Sequence, residues 1–588
     1  MKSQVLTMSD IFQNGGDVHY ILAHFQREYV WEQEQWKELL RDLFFAYHDH
    51  AEKGHDPEKV PVHFMGMFIV SYDSIKGRTI HAYKLIDGQQ RMITISLILC
   101  VLRDLIKRKD PKLFKSIDAM LVNSREEGDA YFKVIPNTRH NDSATYTAII
   151  SGKHPKVKSA RIAKAYTYLH RELSRQITRN QVSVDHLFTV LMLGFQVAYI
   201  DLENESPYKI YESIDGKGKE FSQLDAIRNY IAMMLPAAVQ EVVFHKDWIR
   251  IEEVLHEDKR IGKTGELTAF LRHYLAMRRM IVYPEDRVYA RFRDYVEQEH
   301  AFPSAFIQEI STLRRFAEYY RLLLSPEEET NIPIQQALTR LNKLEAVPTY
   351  PLLLAAYDAR ERGEIEAAEL IELVTLLENL MVRRYLCGQT TTSLHKWFPT
   401  LWHQIKQKRE TGSFSSACRS IIASKHYPAD SQLRQAVYEV KLYERIAHHR
   451  MKITFILLSL EEHLWRETDT MPQLKGHPTI EHIMPQTLTD AWKGELGVQW
   501  ERWHTTYVHT LGNLTLVTQG KNAQLSNVPF LEKKRLLQKH GLRLNSSYFT
   551  DNLASWNEGT IRGRGDWLMQ YILAIWPSCM DEAPILQI

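Results

Sequence analysis

The sequence predicts a multidomain protein, mainly α-helical with α+β parts. Three observations carry that prediction. At 588 residues and 44% apolar content the chain is too long for one ordinary core and rich enough for two or three. Apolar residues recur at helical spacing through the middle of the chain, whereas alternating β-like runs fall in the first 230 or so residues and in a short stretch near the C-terminus. No repeat of fixed period and no low-complexity tract interrupts the pattern.

The expected division is 1–235, 236–440 and 441–588. In the first part "HFMGMFIVSY", "AYKLI" and "FQVAYIDL" read as strands among helices, an α+β domain. In the second, "IAMMLPAAVQEVVF", "ELTAFLRHYLAMRRMIVY", "STLRRFAEYYRLLL" and "EAAELIELVTLLENLMVRRYL" place apolar residues at helical spacing, giving a helical connecting domain. One long helix-like segment, "QLRQAVYEVKLYERIAHHRMKITFILLSLEEHLW", leads into the third, which turns rich in Trp, His, Asn and Gly from "LKGHPTIEHIMPQ".

Composition narrows the function classes. The four cysteines, Cys100, Cys387, Cys418 and Cys579, form no CxxC pair, which argues against a disulfide framework or a Cys-based zinc site and fits a cytoplasmic location. The N-terminus has no basic segment followed by an apolar core, and the longest apolar runs, such as "ITISLILCVL", fall short of the roughly 20 residues of a membrane span. Neither secretion nor membrane insertion is expected. A net charge of +2 means that a polyanion must be met by a local patch. From Met471 to Thr550 nine Lys/Arg face five Asp/Glu, a modest excess of the kind a phosphate-tracking surface needs.

The stretch "KLIDGQQRMITISLILCVLRDL" reads as strand, turn and helix, with Asp87, Gly88, Gln89, Gln90 and Arg91 at the corner. Backbone N–H groups at a helix start attract anions, an arginine there can pair with phosphate, and a nearby aspartate can hold Mg²⁺. The plainer reading is that Asp87 caps the helix and Arg91 pairs with it. Two further segments bear on the choice. "FQREYVWEQEQWKELL" sets Gln26 and Arg27 before Tyr29, Trp31 and Trp36, and "IYESIDGKGKEFSQLDAIRNYI" follows a loop bearing Lys217 and Lys219 with Asp225, Arg228 and Asn229 on one side of a helix. No GxxxxGK[ST] motif occurs, so a P-loop is disfavoured.

Near the C-terminus "TIEHIMPQTLTDAW" is followed by "HTLGNLTLVTQGKNAQLSNVPFLEKKRLL". A Glu481–His482 pair on a short strand, Asn513 on a return loop and Asn522 at a helix start are the parts of a one-metal nuclease. Phosphodiester hydrolysis needs a base for water, a cation to stabilise charge on the phosphate, and donors that hold the chain in line. Histidine supplies the first near neutral pH, and oxygen ligands from Glu and Asn suit Mg²⁺. A lone "EH" would instead be a histidine packed in a Trp-rich core. His477 and His504 make a zinc site conceivable, though no H-x₃₋₅-H pair links them to a cysteine.

The trio "FQREYVW", "IDGQQR" and "YESIDGKGKEFSQLDAIRN" resembles the N-terminal domain of GmrSD-like type IV restriction endonucleases, a ParB-like fold shared with phosphorothioate-sensing defence nucleases. "IEHIMP", "HTLGNLTL" and "NxxLSN", in that order, resemble the HNH (ββα-metal) nuclease motif that follows it in those enzymes. The resemblance implies nucleotide binding and hydrolysis at Asp87, Gln90 and Arg91, with Gly88 and Gln89 in the same motif and Gln26 and Arg27 contributing. It also implies His482 as general base, Glu481 and Asn522 as metal ligands, Asn513 as the residue that fixes the loop, and His509 as a second-tier metal or phosphate contact. Met92 stands where the family pattern has Leu, and Glu481 where many HNH enzymes have Asp. Lys533, Lys534 and Arg535 are candidates to track DNA phosphates. The expected function is thus a nucleotide-dependent, modification-sensing DNA endonuclease of antiphage defence, using Mg²⁺ or another divalent cation and a nucleoside triphosphate, with modified phage DNA as partner. The alternatives are a nucleotide-switched DNA-binding sensor with an inactive nuclease fold and an RNA-directed, toxin-like nuclease. One nuclease site cuts one strand, so double-strand cleavage calls for a homodimer or successive nicks.

Overall fold

The computed structural model describes residues 2–13, 18–22, 29–76, 80–126, 129–135, 140–153, 160–179, 182–202, 223–256, 265–410, 412–424, 426–443, 450–466, 476–518, 525–539 and 541–579. The chain forms two compact units, residues 1–250 with 292–310 and residues 251–291 with 311–588.

The first unit is built on a six-stranded mixed sheet. Its strands are β1 (Lys2–Thr7), β2 (Val18–Leu22), β3 (His63–Lys76), β4 (Ile80–Asp87), β7 (Val134–Ile135) and β8 (Phe195–Asp201), in the order β1-β8-β3-β4-β2-β7. A separate ribbon pairs β5 (Val122–Glu126) with β6 (Asp129–Phe132). The three strands expected from alternation are β3, β4 and β8, and they are adjacent: β3 runs antiparallel to β4 and parallel to β8. The sheet's central helix, Gln89–Ile106, is mostly apolar and buried along nearly its whole length, with Ile95, Leu97, Leu99, Val101 and Leu102 each fully buried. A helix of that composition belongs inside a core, and helices Pro111–Leu121 and Arg161–Arg179 cover it. Asp110 caps the first of these, accepting from Lys112 N and Leu113 N ahead of Pro111 at the first helical position.

Among its described residues the second unit is helical apart from an antiparallel ribbon of β9 (Pro478–His482) and β10 (Leu514–Thr518). Its helices include Gly265–Arg279, Ala367–Leu386 and Glu558–Ile575. One expectation is corrected here. The long segment from Gln432 to Trp465 is not a single helix, because one helix ends at Glu439 and the next spans Arg450–Arg466. Val440 is extended, with φ −81° and ψ 118°, and Leu442 N donates to His509 O at 2.9 Å. Periodicity continues through the break, but a distant carbonyl claims the backbone. Among the described residues no helix is long and apolar enough to cross a membrane.

Candidate functional site

Two polar clusters stand out, one in each unit. In the first unit β4 ends at Asp87, the chain turns at Gly88, and the helix begins at Gln89. Gly88 adopts φ +95°, and a Cβ there would lie 2.2 Å from Phe68 Cδ1, so the corner admits only glycine. Asp87 Oδ1 accepts from Gly88 N at 2.7 Å, and Asp87 Oδ2 lies 3.6 Å from Arg91 Nη2. Arg91 Nη1 donates to Met65 O, and its guanidinium lies 5.8 Å from the Phe68 ring centre. The two charged side chains keep 27% and 24% exposure respectively, enough to meet a ligand.

Gln89 and Gln90 are buried. Gln90 Oε1 accepts from Val30 N at 2.8 Å, which makes its side chain a strut for the segment after Gln26 and Arg27. Below it Trp36 Nε1 donates to Tyr29 OH at 2.7 Å, and Tyr29 OH meets Thr94 Oγ1 at 2.7 Å. This chain of bonds seats Tyr29 and Trp36 against the central helix. Gln26, Arg27, Lys217 and Lys219 lie outside the described residues. Of the third segment of the trio, Arg228 and Asn229 are buried on helix Gln223–Met234, and Asn229 Oδ1 has no hydrogen-bond partner among the described residues.

In the second unit β9 carries Glu481 and His482 at its end, opposite Thr515 and Leu514 of β10. Helix Phe530–Gln538 follows the ribbon. Successive strand residues face opposite ways, so the two side chains diverge at their roots. Glu481 meets Lys533 Nζ at 2.5 Å. Lys533 is fully buried and also donates to His482 O and Ser526 O, both at 2.8 Å. Burial pushes the Glu481 carboxyl up and the Lys533 ammonium down, each against the attraction of the other. His482 Nε2 lies 3.2 Å from His509 Nδ1, and the Tyr443 ring sits edge-on to His482 at 4.5 Å. Burial, then the neighbouring His509, Lys533 and His504, push the His482 imidazole down to about 3, so it is neutral at physiological pH.

Asn513 holds this arrangement together. Its Oδ1 accepts from Met484 N at 2.7 Å and Trp556 Nε1 at 2.9 Å, while its Nδ2 donates to Met484 O and Val508 O, both at 2.9 Å. Ile483 N donates to Asn513 O at 3.0 Å. Every polar group of this buried amide is therefore engaged, with two of the four bonds on Met484 of the loop that leaves His482. Beneath the ribbon the fully buried Arg564 donates to Gly512 O at 3.0 Å and Leu514 O at 2.5 Å.

Family models match both halves of this layout. "GmrSD restriction endonuclease, N-terminal domain" covers residues 8–232, and "GmrSD restriction endonucleases, C-terminal domain" covers residues 427–571. The chain belongs to the GmrSD restriction endonuclease family. No curated protein matches it. Membership makes it a type IV restriction-like nuclease, for which DNA is the partner.

Within this GmrSD chain the structure brings together Asp87, Gly88, Gln89, Gln90 and Arg91 at one corner, and Glu481, His482, His509 and Asn513 around one ribbon. Asn522 lies outside the described residues. Among the described residues no three His, Cys, Asp or Glu side chains converge to hold a metal ion. The Glu481 carboxylate is donor chemistry that a hard divalent cation accepts, and the cation would have to share it with Lys533. Lys533 and Lys534 correct the sequence expectation. Both are buried, and Lys534 Nζ donates to Asp551 O and Leu553 O, so neither ammonium faces outward to track phosphate.

Sequence reasoning missed Gly66, Tyr443 and Trp556. Gly66 had a signal, a glycine within a strand-like run. It lies at a register shift between β3 and β8, adopts φ +96°, and leaves room for Arg91 Nη1, which a Cβ would approach to 2.2 Å. Tyr443 and Trp556 are far from the motif in sequence and gave none.

Proposed function

We propose that this chain is a nucleotide-dependent, modification-sensing DNA endonuclease of antiphage defence. Its first unit, read as ParB-like, hydrolyses a nucleoside triphosphate, and its C-terminal ribbon and helix, read as an HNH site, hydrolyse DNA phosphodiesters. The observation that supports the nuclease step best is the His482 ring, 3.2 Å from His509 at the end of β9, on a loop tied down by Asn513.

A neutral imidazole takes a proton from the attacking water. The water oxygen bonds to phosphorus, and the P–O bond to the leaving sugar oxygen breaks. His509, at 3.2 Å from His482, orients the ring or meets the phosphate. Glu481 and Asn522 would hold a divalent cation, which supplies charge stabilisation on the phosphate. At the other cluster the helix start at Gly88–Gln89 and the Arg91 guanidinium would receive the nucleotide phosphates, with Asp87 beside them for Mg²⁺. The setting is the cytoplasm, and cutting both strands would take a homodimer or two nicks.

The test is His482→Ala in the full chain, assayed on plain and modified phage DNA with and without nucleotide. Cleavage should vanish while nucleotide hydrolysis persists; cleavage at the wild-type rate with Mg²⁺ present would rule out the base assignment. The engagement of Glu481 by Lys533 favours a second reading, a nucleotide-switched sensor with an inactive nuclease fold. The same assay separates it, because a sensor shifts DNA mobility without cutting. Loss of RNA with DNA intact would point to a toxin-like nuclease.

A further inference from the structure

The first unit carries an open groove of about 990 Å³ that neither cluster uses. One wall is the segment after Val30, with Trp31 and Trp36. The other is helix Arg161–Arg179, which contributes Arg161, Lys164, Tyr168 and Arg171. Trp36 forms a rigid floor: it is 6% exposed, its indole N–H is held by Tyr29, and its ring lies 5.7 Å from that of Tyr168. Trp31 is half-buried beside it. The Arg171 guanidinium covers the Tyr168 ring at 5.2 Å.

The helix itself has an unusual charge pattern. Arg161, Lys164, Arg171, Arg175 and Arg179 share the helix with one acid, Glu172, which pairs with Arg171 at 3.1 Å and Arg175 at 2.7 Å, while Arg161 lies 3.9 Å from Glu32 on the other wall. With Tyr168 they follow one another at steps of three and four residues, which places all six on one face, neighbours being about 5–6 Å apart. Arg161, Lys164 and Arg171 border the groove directly. The opposite face, Ile162, Ala165, Leu169 and Leu173, is fully buried in the unit's own core. The helix therefore has no apolar face left for a membrane surface, and what remains is a row of cations beside the half-buried Trp31.

We propose that this groove holds a single nucleic-acid strand, with successive phosphates along the Arg161–Arg179 face and an unpaired base stacked against Trp31. The ladder of cations matches a repeating polyanion better than one compact anion. Ring faces are reached only by bases that have left a duplex, so the strand is single. That the strand is DNA rests on the function proposed above; that it is a nucleic-acid strand rests on the groove alone.

The experiment is fluorescence anisotropy with a labelled single-stranded DNA oligonucleotide and its duplex, titrated into the full-length protein over a range of salt. The variants are Lys164→Glu/Arg171→Glu, its conservative counterpart Lys164→Arg/Arg171→Lys, and Trp31→Ala. Wild type should bind the strand more tightly than the duplex. The charge-reversal pair should weaken strand binding by about 10-fold or more and flatten the salt dependence by about 1.4 in slope, at about 0.7 per single-strand phosphate, with the conservative pair close to wild type. Trp31→Ala should weaken the strand about 10-fold without changing the slope. Unchanged affinity and slope in both sets would overturn the proposal, as would loss of free-nucleotide binding with strand affinity intact. Lys164 and Arg171 are exposed, so the charge variants should keep the wild-type melting temperature. Because the readout is binding, a wild-type protein that binds the strand but never cuts DNA counts against the nuclease reading and leaves this site standing.

Discussion

Lys533 Nζ lies 2.5 Å from Glu481 Oε1, with the lysine fully buried and the glutamate nearly so. The pair joins the end of β9 to helix Phe530–Gln538, and two backbone carbonyls complete the ammonium's shell. Removing one partner of a buried ion pair strands the other charge, a loss of about 3–5 kcal/mol. Lys533→Met should therefore destabilise the second unit by that order in chemical denaturation, as should Glu481→Gln. The double variant should recover part of the loss, with a coupling above about 1 kcal/mol. Strictly additive effects would show that the contact contributes nothing of its own.

Asn513 makes four side-chain hydrogen bonds without any exposure. Asn513→Ala leaves Met484 N, Met484 O, Val508 O and Trp556 Nε1 short of a partner. With about 1–3 kcal/mol for each buried group left unsatisfied, the variant should lose several degrees of melting temperature. DNA cleavage should fall further than the loss of folded protein explains, because the loop leaving His482 is freed. Cleavage that tracks only the folded fraction would deny Asn513 a positioning role.

Gly66→Ala tests the other cluster. The substitution forces a side chain into a left-handed conformation and places its Cβ against Arg91 Nη1. The strain is on the order of 1–3 kcal/mol, so the unit should still fold. The Arg91 guanidinium must leave its seat on Met65 O. Nucleotide hydrolysis should drop at least 10-fold; hydrolysis at the wild-type rate in a folded variant would mean that Arg91 need not occupy this position.

His273 predicts a pH effect. It is buried on helix Gly265–Arg279, its Nδ1 lies 3.1 Å from Tyr320 OH, and burial, followed by Arg272 and His395, pushes it down to about 3 from 6.5. The native state keeps the ring neutral, whereas the unfolded chain takes up a proton below 6.5. Native protein thus binds fewer protons in that window. The contribution is complete above 6.5 and is lost as pH falls towards about 3, by up to about 1.4 kcal/mol per pH unit. His273→Phe should flatten the fall of the melting temperature on acidification. Parallel curves for the variant and wild type would assign the acid sensitivity elsewhere.

Both clusters were legible because their members sit within a few residues of one another. A strand pattern running into "DG" and then an apolar helix locates the Asp87–Arg91 corner, and "IEH" with "GNLTL" locates the ribbon. The Lys533 and Lys534 error has the opposite origin. Three consecutive basic residues on a short helix look solvated until the helix is packed, and the packing turns two of them inward. The continuous helix expected across Val440 failed for a related reason: Leu442 N is claimed by His509 O, far along the chain.

The amino-acid order by itself determined where strands β3, β4 and β8 and the two polar corners fall, because turn chemistry and hydrophobic period act over a few residues at a time. Tertiary structure alone decided that Lys533 answers Glu481, that Gly66 makes room for Arg91, and that the Arg161–Arg179 face lies beside Trp31. Each of these joins groups tens of residues or more apart, and their meeting depends on how buried surfaces close, which no local pattern encodes.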